Sequence, residues 1–172
     1  TLVKVNDGDE LVSVRLMQDK SQYLIVTKRG MAIRFEGSEV RIMGLVAAGV
    51  NALKLAAGDA AVGMVELAGK GEVLLVASNG VGWRIPVEGF PVQGRYGQGV
   101  IGCRLDAKVN LIGVVYGKKN HLYALHFKKA AAKTMRLDVI GECRRSGKGE
   151  TLVELPATDA ITRIVETSDP GE

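Results

Sequence analysis

The chain is written in short apolar runs separated by glycine-bearing turns. YLIVT at 23–27, MAIRF at 31–35, VNALKL at 50–55 and AAVGMVEL at 60–67 are rich in β-branched residues or alternate apolar with other positions, which is the pattern of strands. KRG, SNG and AGD punctuate them as turns. We label the four strands a to d. The pattern predicts an all-β chain with no helix longer than a turn or two.

Shifting the sequence by 50 positions lays it on itself. LIVTKRGMAIRF at 24–35 falls on LLVASNGVGWRI at 74–85, and GLVAAGVNALKL at 44–55 falls on GRYGQGVIGCRL at 94–105. A third copy follows, because Gly97, Gly99 and Leu105 map to Gly147, Gly149 and Leu155, and DAAVGMV at 59–65 maps to DAITRIV at 159–165. GDELVSV at 8–14 stands 50 residues before GDAAVGM at 58–64, so the start is the tail of a further copy. The expected units are a partial blade at 1–16, blades at 21–67, 71–116 and 119–166, and a short acidic tail at 167–172. A tight a-to-b turn sits at Gly30 and Gly80, whereas the third copy stretches it to HFKKAAAK, which carries Lys128, Lys129 and Lys133. The b-to-c connection is longer, about a dozen residues, and holds the glycine-rich stretch in every copy. Four strands per 50-residue unit, repeated head to tail, predict blades around an axis. The paired-glycine and Trp-Asp marks of Kelch and WD propellers are absent, since Trp83 is the sole tryptophan.

Charge adds a direction to this plan. Of 172 residues, 47% are hydrophobic and 24% charged, as in a soluble globular protein able to bury a core, and the net charge is +4. That total is unevenly spread. Residues 1–83 carry nine basic and nine acidic side chains, residues 84–148 thirteen and four, and residues 149–172 one and six. A basic middle segment predicts an anionic partner, nucleic acid or membrane. No apolar run reaches the roughly 20 residues that span a bilayer, and TLVKVNDGDE has no signal-peptide pattern, so no membrane and a cytoplasmic location are expected. Cys103 and Cys143 form no CxxC pair and read as reduced, structural thiols.

The candidate chemistry lies in the b-to-c loops. QGRYGQG at 93–99 holds Gln93, Gly94, Arg95, Gly97, Gln98 and Gly99, and CRRSGKG at 143–149 holds Arg144, Arg145, Gly147, Lys148 and Gly149. Glycines let a backbone take positive φ and approach a polyanion, arginine offers a planar fork for bidentate phosphate contact, and lysine a point charge. The alternative is a glycine-rich turn with solvated charges. Arg84, Arg104 and Arg136 extend the basic segment, and Lys128, Lys129 and Lys133 add to it from the long turn. Three other patterns carry less. RRSGKGET lacks the Ser or Thr after Lys148 that a phosphate loop needs. His121 and His126 are five apart, on opposite faces of a strand, which disfavours a shared metal. Asp9, Asp59 and Asp159 recur at one point of the repeat and read as turn caps rather than catalytic carboxylates. No nucleophile with a base, no paired carboxylates and no cofactor motif appears, so no cofactor is expected, and Tyr23, Tyr96, Tyr116 and Tyr123 lie in strands or a loop.

IRFEGSEVRIMGLVAAGVNALKLAAGDAAVGM at 33–64 and VQGRYGQGVIGCRL at 92–105 resemble successive blades of the β-pinwheel, the C-terminal domain of the gyrase A component of DNA gyrase and of its topoisomerase IV counterpart. The resemblance covers nearly the whole chain. One blade of that family carries a heptad, the gyrase-A box Q-R-R-G-G-K-G. QGRYGQG keeps its Gln93, Arg95, Gly97 and Gly99, CRRSGKG keeps Arg144, Arg145, Gly147, Lys148 and Gly149, and MGLVAAG at 43–49 has no cation. Full pinwheels of the family have five or six blades, so three and a half imply a fragment or a reduced domain.

The resemblance implies a non-catalytic module that binds and wraps duplex DNA through its phosphates. The DNA-breaking tyrosine, the ATPase and the magnesium site would belong to the remaining cleavage and ATPase parts of a type II topoisomerase, at the nucleoid. An aromatic content of 5% argues for gripping a duplex rather than stacking on single strands. On charge count the third loop should dominate the grip, and Leu45 in the first should be indifferent. The reading from another class is a propeller-like scaffold for a protein partner.

Overall fold

The computed structural model describes residues 5–18, 20–44 and 47–167. Its hairpins arise where the apolar runs predict them: β1 (Gln22–Thr27) turns at Gly30 into β2 (Met31–Glu36), and β4 (Glu72–Ala77) turns at Gly80 into β5 (Val81–Pro86). The third hairpin joins β8 (Leu122–Phe127) to a shorter β9 (Lys133–Arg136). Tyr123 faces Met135 just as Val73 faces Ile85, so the expected stretching of this turn is corrected: no residues are inserted, and the two strands part earlier because β9 starts later. The d strands are β3 (Ala61–Leu67), β7 (Leu111–Gly117) and β11 (Ile161–Glu166). Two short c strands, β6 (Val100–Ile101) and β10 (Glu150–Thr151), complete the set. Helix among the described residues is confined to single 3-10 turns at Gly37–Glu39, Val87–Gly89 and Leu137–Val139, each directly after a b strand.

The strands pair antiparallel in three sheets, ordered β3-β1-β2-β6, β10-β5-β4-β7 and β11-β8-β9. Each outer c strand therefore comes from the next repeat and not from its own. β6 of the second repeat sets Val100 against Ala32 and Ile101 against Met31, and β10 of the third repeats this 50 residues on, with Glu150 against Gly82 and Thr151 against Val81. The Gly30 carbonyl then accepts from the Gly102 and Cys103 amides, as the Gly80 carbonyl does from Leu152 and Val153.

This exchange corrects the expectation that VNALKL forms a strand in its own blade. It makes only an isolated bridge, Leu53 to Gly97, because a c strand needs the b strand of a preceding repeat and the described residues hold none. GDELVSV likewise forms no strand; near it Arg15 Nε donates to the Met64 carbonyl at 3.3 Å. Of the two expected end segments, residues 1–4 and 168–172 lie outside the described residues.

The d strands stand innermost, β3 beside β7 and β7 beside β11, and line a cleft of about 830 Å³. From there each sheet runs outward through a and b, and in the first two on to the exchanged c. The largest apolar cluster crosses sheets, joining Leu24, Val26 and Val65 of the first to Val73, Leu75, Trp83 and Ile85 of the second, with Cys103 among them. Both cysteines are free thiols; burial, and then Cys143 nearby, pushes Cys103 up to about 12, so it is an inert core residue at neutral pH.

The exchange requires close backbone approach, which glycine at 99 supplies. Gly99 has φ +73°, and a Cβ there would collide with the Ala32 carbonyl oxygen. Gly8, with φ +84°, has nothing within 4 Å of the same point. Gly99→Ala should therefore cost about 2–3 kcal/mol in urea unfolding, against about 1 kcal/mol for Gly8→Ala, which carries the backbone strain alone. Equal losses would mean that contact with β2 is not what fixes the loop.

Candidate nucleic-acid interface

The two glycine-rich loops are built alike, and their arginines point inward to protein. In the second repeat Arg95 Nε donates to the Glu39 carbonyl at 3.0 Å and Nη1 to the Asn51 carbonyl at 2.8 Å. Fifty residues later Arg145 Nε donates to the Gly89 carbonyl at 3.0 Å and Nη1 to the Ile101 carbonyl at 2.8 Å. Both are half-buried clasps that tie a loop to two earlier points of the chain. The next residue in each, Tyr96 and Ser146, takes φ of 64° and 60°, turning the chain so that its amide meets the carbonyl of Ala52 or Gly102. Gly149 packs on the Trp83 ring, where a Cβ would come within 2.6 Å, and Trp83 Nε1 donates to the Gly147 carbonyl at 3.0 Å. The glycines thus serve contact between blades.

What remains outward is a subset of the predicted cations. Arg144 and Lys148 are exposed beside the clasp, as are Gly94 and Gln98 in the other loop, while Gln93 is half-buried with its backbone amide donating to the Arg34 carbonyl. Arg104, Lys128, Lys129 and Lys133 are exposed too. Arg136 is exposed but joined to Asp138 at 2.5 Å, and its hydrogen bond holds that carboxyl below the ordinary range. Arg84 corrects the prediction: it is 8% exposed, and its guanidinium meets both Glu72 oxygens at 3.0 and 3.1 Å. Leu45 of the first loop lies outside the described residues.

Two of the recurring aspartates, Asp59 and Asp159, are turn caps. Asp59 Oδ1 accepts from the Arg29 and Ala60 amides, and Asp159 accepts from Lys129, Ala130 and Ala160. Desolvation is the largest single influence and raises the Asp159 pKa, but the backbone amide donors together outweigh it and hold the carboxyl below its ordinary value.

Comparison with known proteins places this geometry. The family model described as DNA gyrase C-terminal domain, beta-propeller, matches residues 22–66, 71–116 and 128–168. The chain belongs to that family. The DNA gyrase A protein of Helicobacter pylori is 35% identical over 89% of the chain, and that of Salmonella typhimurium 27% over 98%. The chain spans 19% of either relative. Among solved structures, the C-terminal domain of DNA topoisomerase IV superposes with TM-score 0.88 at 24% identity, covering 95% of this chain and 52% of that one. A DNA gyrase A C-terminal domain gives 0.87 at 21% identity, covering 96% and 57%. The all-β blade architecture expected from the repeat, and the β-pinwheel implied by the resemblance, are thus shared with both.

Sequence reasoning missed the polar framework between gyrase-type blades. Arg34 Nη1 donates to the Val87 and Phe90 carbonyls at 2.9 Å each, and its Nε donates to Gln22 at 2.8 Å. Its signal was present, since Arg34 and Gln22 recur as Arg84 and Glu72 at the repeat offset.

Two outcomes follow from these contacts. Arg145→Ala should lower unfolding free energy by about 1.5–3 kcal/mol, whereas Arg144→Ala should stay within about 0.5 kcal/mol; matching values would remove the clasp. For Asp159 the folded pKa is depressed, so its support of the turn is complete above the unfolded value of about 3.9 and fades as pH falls through the folded one. Exchange of the Lys129 and Ala130 amides, measured against other hairpin amides, should accelerate over that acid range and not at neutral pH.

Proposed function

We propose that this chain is a non-catalytic DNA-binding and DNA-wrapping module of a bacterial type II topoisomerase of the gyrase A kind. The observation that carries the reading is the division of labour among its cations: Arg34, Arg84, Arg95 and Arg145 are spent on protein, while Arg104, Lys128, Lys129, Lys133, Arg144 and Lys148 are exposed on a gyrase-family domain. Exposed cations on a firm backbone suit phosphates, which give position and affinity without sequence choice. Bending a duplex over them would present a neighbouring DNA segment to a cleavage gate and bias strand passage. Cleavage and ATP hydrolysis fall to its partner parts, the module itself takes no cofactor, and the assembly works in the cytoplasm at the nucleoid.

If about five phosphates are engaged, log K for duplex DNA should fall against log salt with a slope of about −4 to −5, a loss of roughly 10²–10³-fold between about 50 and 200 mM. Duplexes of different sequence should bind alike. Absence of binding at low salt, or binding indifferent to salt, would favour the protein-scaffold reading.

A further inference from the structure

The a-to-b turns follow one another along a single rim. The Lys28 carbonyl accepts from the Leu111 amide at the start of β7, and one repeat later the Ser78 carbonyl accepts from Ile161 at the start of β11. Beside each of these two turns runs the exchanged c segment of the next repeat, pinned at the Gly30 or Gly80 carbonyl. Three side chains in each of these blades therefore share one place: two from the turn and the residue just after the pinned pair. In the first blade they are Lys28, Arg29 and Arg104, all exposed. At the second they are Ser78, Asn79 and Glu154, with Glu154 exposed. The third turn returns to Lys128 and Lys129, both exposed, with Lys133 opening β9.

Along the rim the first place holds three cations, the second holds Glu154 with Asp106 and Lys108 offsetting each other in the turn bonded to Ser78, and the third holds two cations with Lys133 farther along the hairpin, facing Leu125. In the charged turns the backbone is fixed by the amides of Arg29 and Lys129 on Asp59 and Asp159, each at 3.0 Å, so the side chains project from ordered positions. Among the described residues, none of Lys28, Arg29, Arg104, Lys128, Lys129 or Glu154 has an ion-pair partner. The clasped loops do not alternate in this way.

We infer that duplex DNA is held at two separate clamps on this rim, Lys28–Arg29–Arg104 and Lys128–Lys129–Lys133, and bridges an anionic gap marked by Glu154. The inference rests on the DNA-binding reading above and adds to it that the first repeat, whose box-like loop has no cation, contributes through its turn. A duplex phosphate path crossing Glu154 meets repulsion there, so contact is discontinuous by charge and not by shape.

The test is a salt titration of duplex binding with three variants of the full chain, each first shown to keep the parent melting temperature. Lys28→Ala with Arg29→Ala should reduce the magnitude of the salt slope by roughly two, and Lys128→Ala with Lys129→Ala by the same, at one phosphate per cation. Glu154→Lys should strengthen binding several-fold and steepen the slope by about one. Parent-like binding by the Lys28/Arg29 pair or by Glu154→Lys, with the parent itself showing a steep slope, would overturn the two-clamp arrangement and leave the DNA reading standing. A parent that binds no duplex would overturn both.

Discussion

The backbone exchange at the blade edges is the constraint on which the rest depends. A b strand at the outside of a sheet presents unpaired N–H and C=O groups, and leaving them bare costs stability and invites aggregation. In this chain the next repeat covers that edge with Val100–Ile101 on β2 and Glu150–Thr151 on β5. Each of these two blades is then incomplete without its successor. Stability in such an array lies in the joints between units as much as in the units. Here the joints are visible as Arg95, Arg145 and Arg34 donating to carbonyls of a neighbouring repeat.

That arrangement explains why several arginines are engaged by protein groups rather than left free for a phosphate. Carbonyls at strand ends and after 3-10 turns lack backbone partners, and a guanidinium can satisfy two of them with one group. Arg84 uses a carboxylate instead, deep beside Glu72, where an unpaired charge would be costly. One apolar cluster joins the first and second sheets and another joins the second to the third through Leu74, Val76, Tyr123 and Leu125, so movement of one blade would open its neighbour's core. The exposed lysines therefore stand on a base that does not need ordering before it binds.

The sequence made the period, the strand types and the turn aspartates legible, because each depends on local pattern: apolar runs for β1 and β4, glycine at 30 and 80, aspartate at 59 and 159. It could not reveal the exchange. A 50-residue offset looks the same whether VIGC at 100–103 pairs with its own b strand or with the preceding one, since both b strands carry the same pattern. The inward turn of Arg95 and Arg145 was hidden for a related reason. Their acceptors are backbone carbonyls of Glu39, Asn51, Gly89 and Ile101, and a carbonyl leaves no trace in the identity of the residue that bears it. Arg84 was readable in principle, for its partner Glu72 is a side chain on the facing strand.

The turn aspartates raise a last point of electrostatics. Asp59 and Asp159 place a negative charge beside the very cations that would meet DNA, which partly offsets them. Their oxygens accept from backbone amides, two for Asp59 and three for Asp159, so the negative charge is shared with N–H donors. Lysine and arginine reach beyond the turn on long stems, and within a Debye length of about 8 Å the nearer tip governs what a phosphate feels. The second repeat shows the alternative. Val109 stands where the aspartate would be, and its turn carries Ser78 and Asn79, with Asn79 Oδ1 accepting from the Val81 amide. Cap and cations occur together in the first and third turns and are both missing from the second, which is the pattern expected if the aspartate's task is to hold the turn still while its neighbours bear the charge.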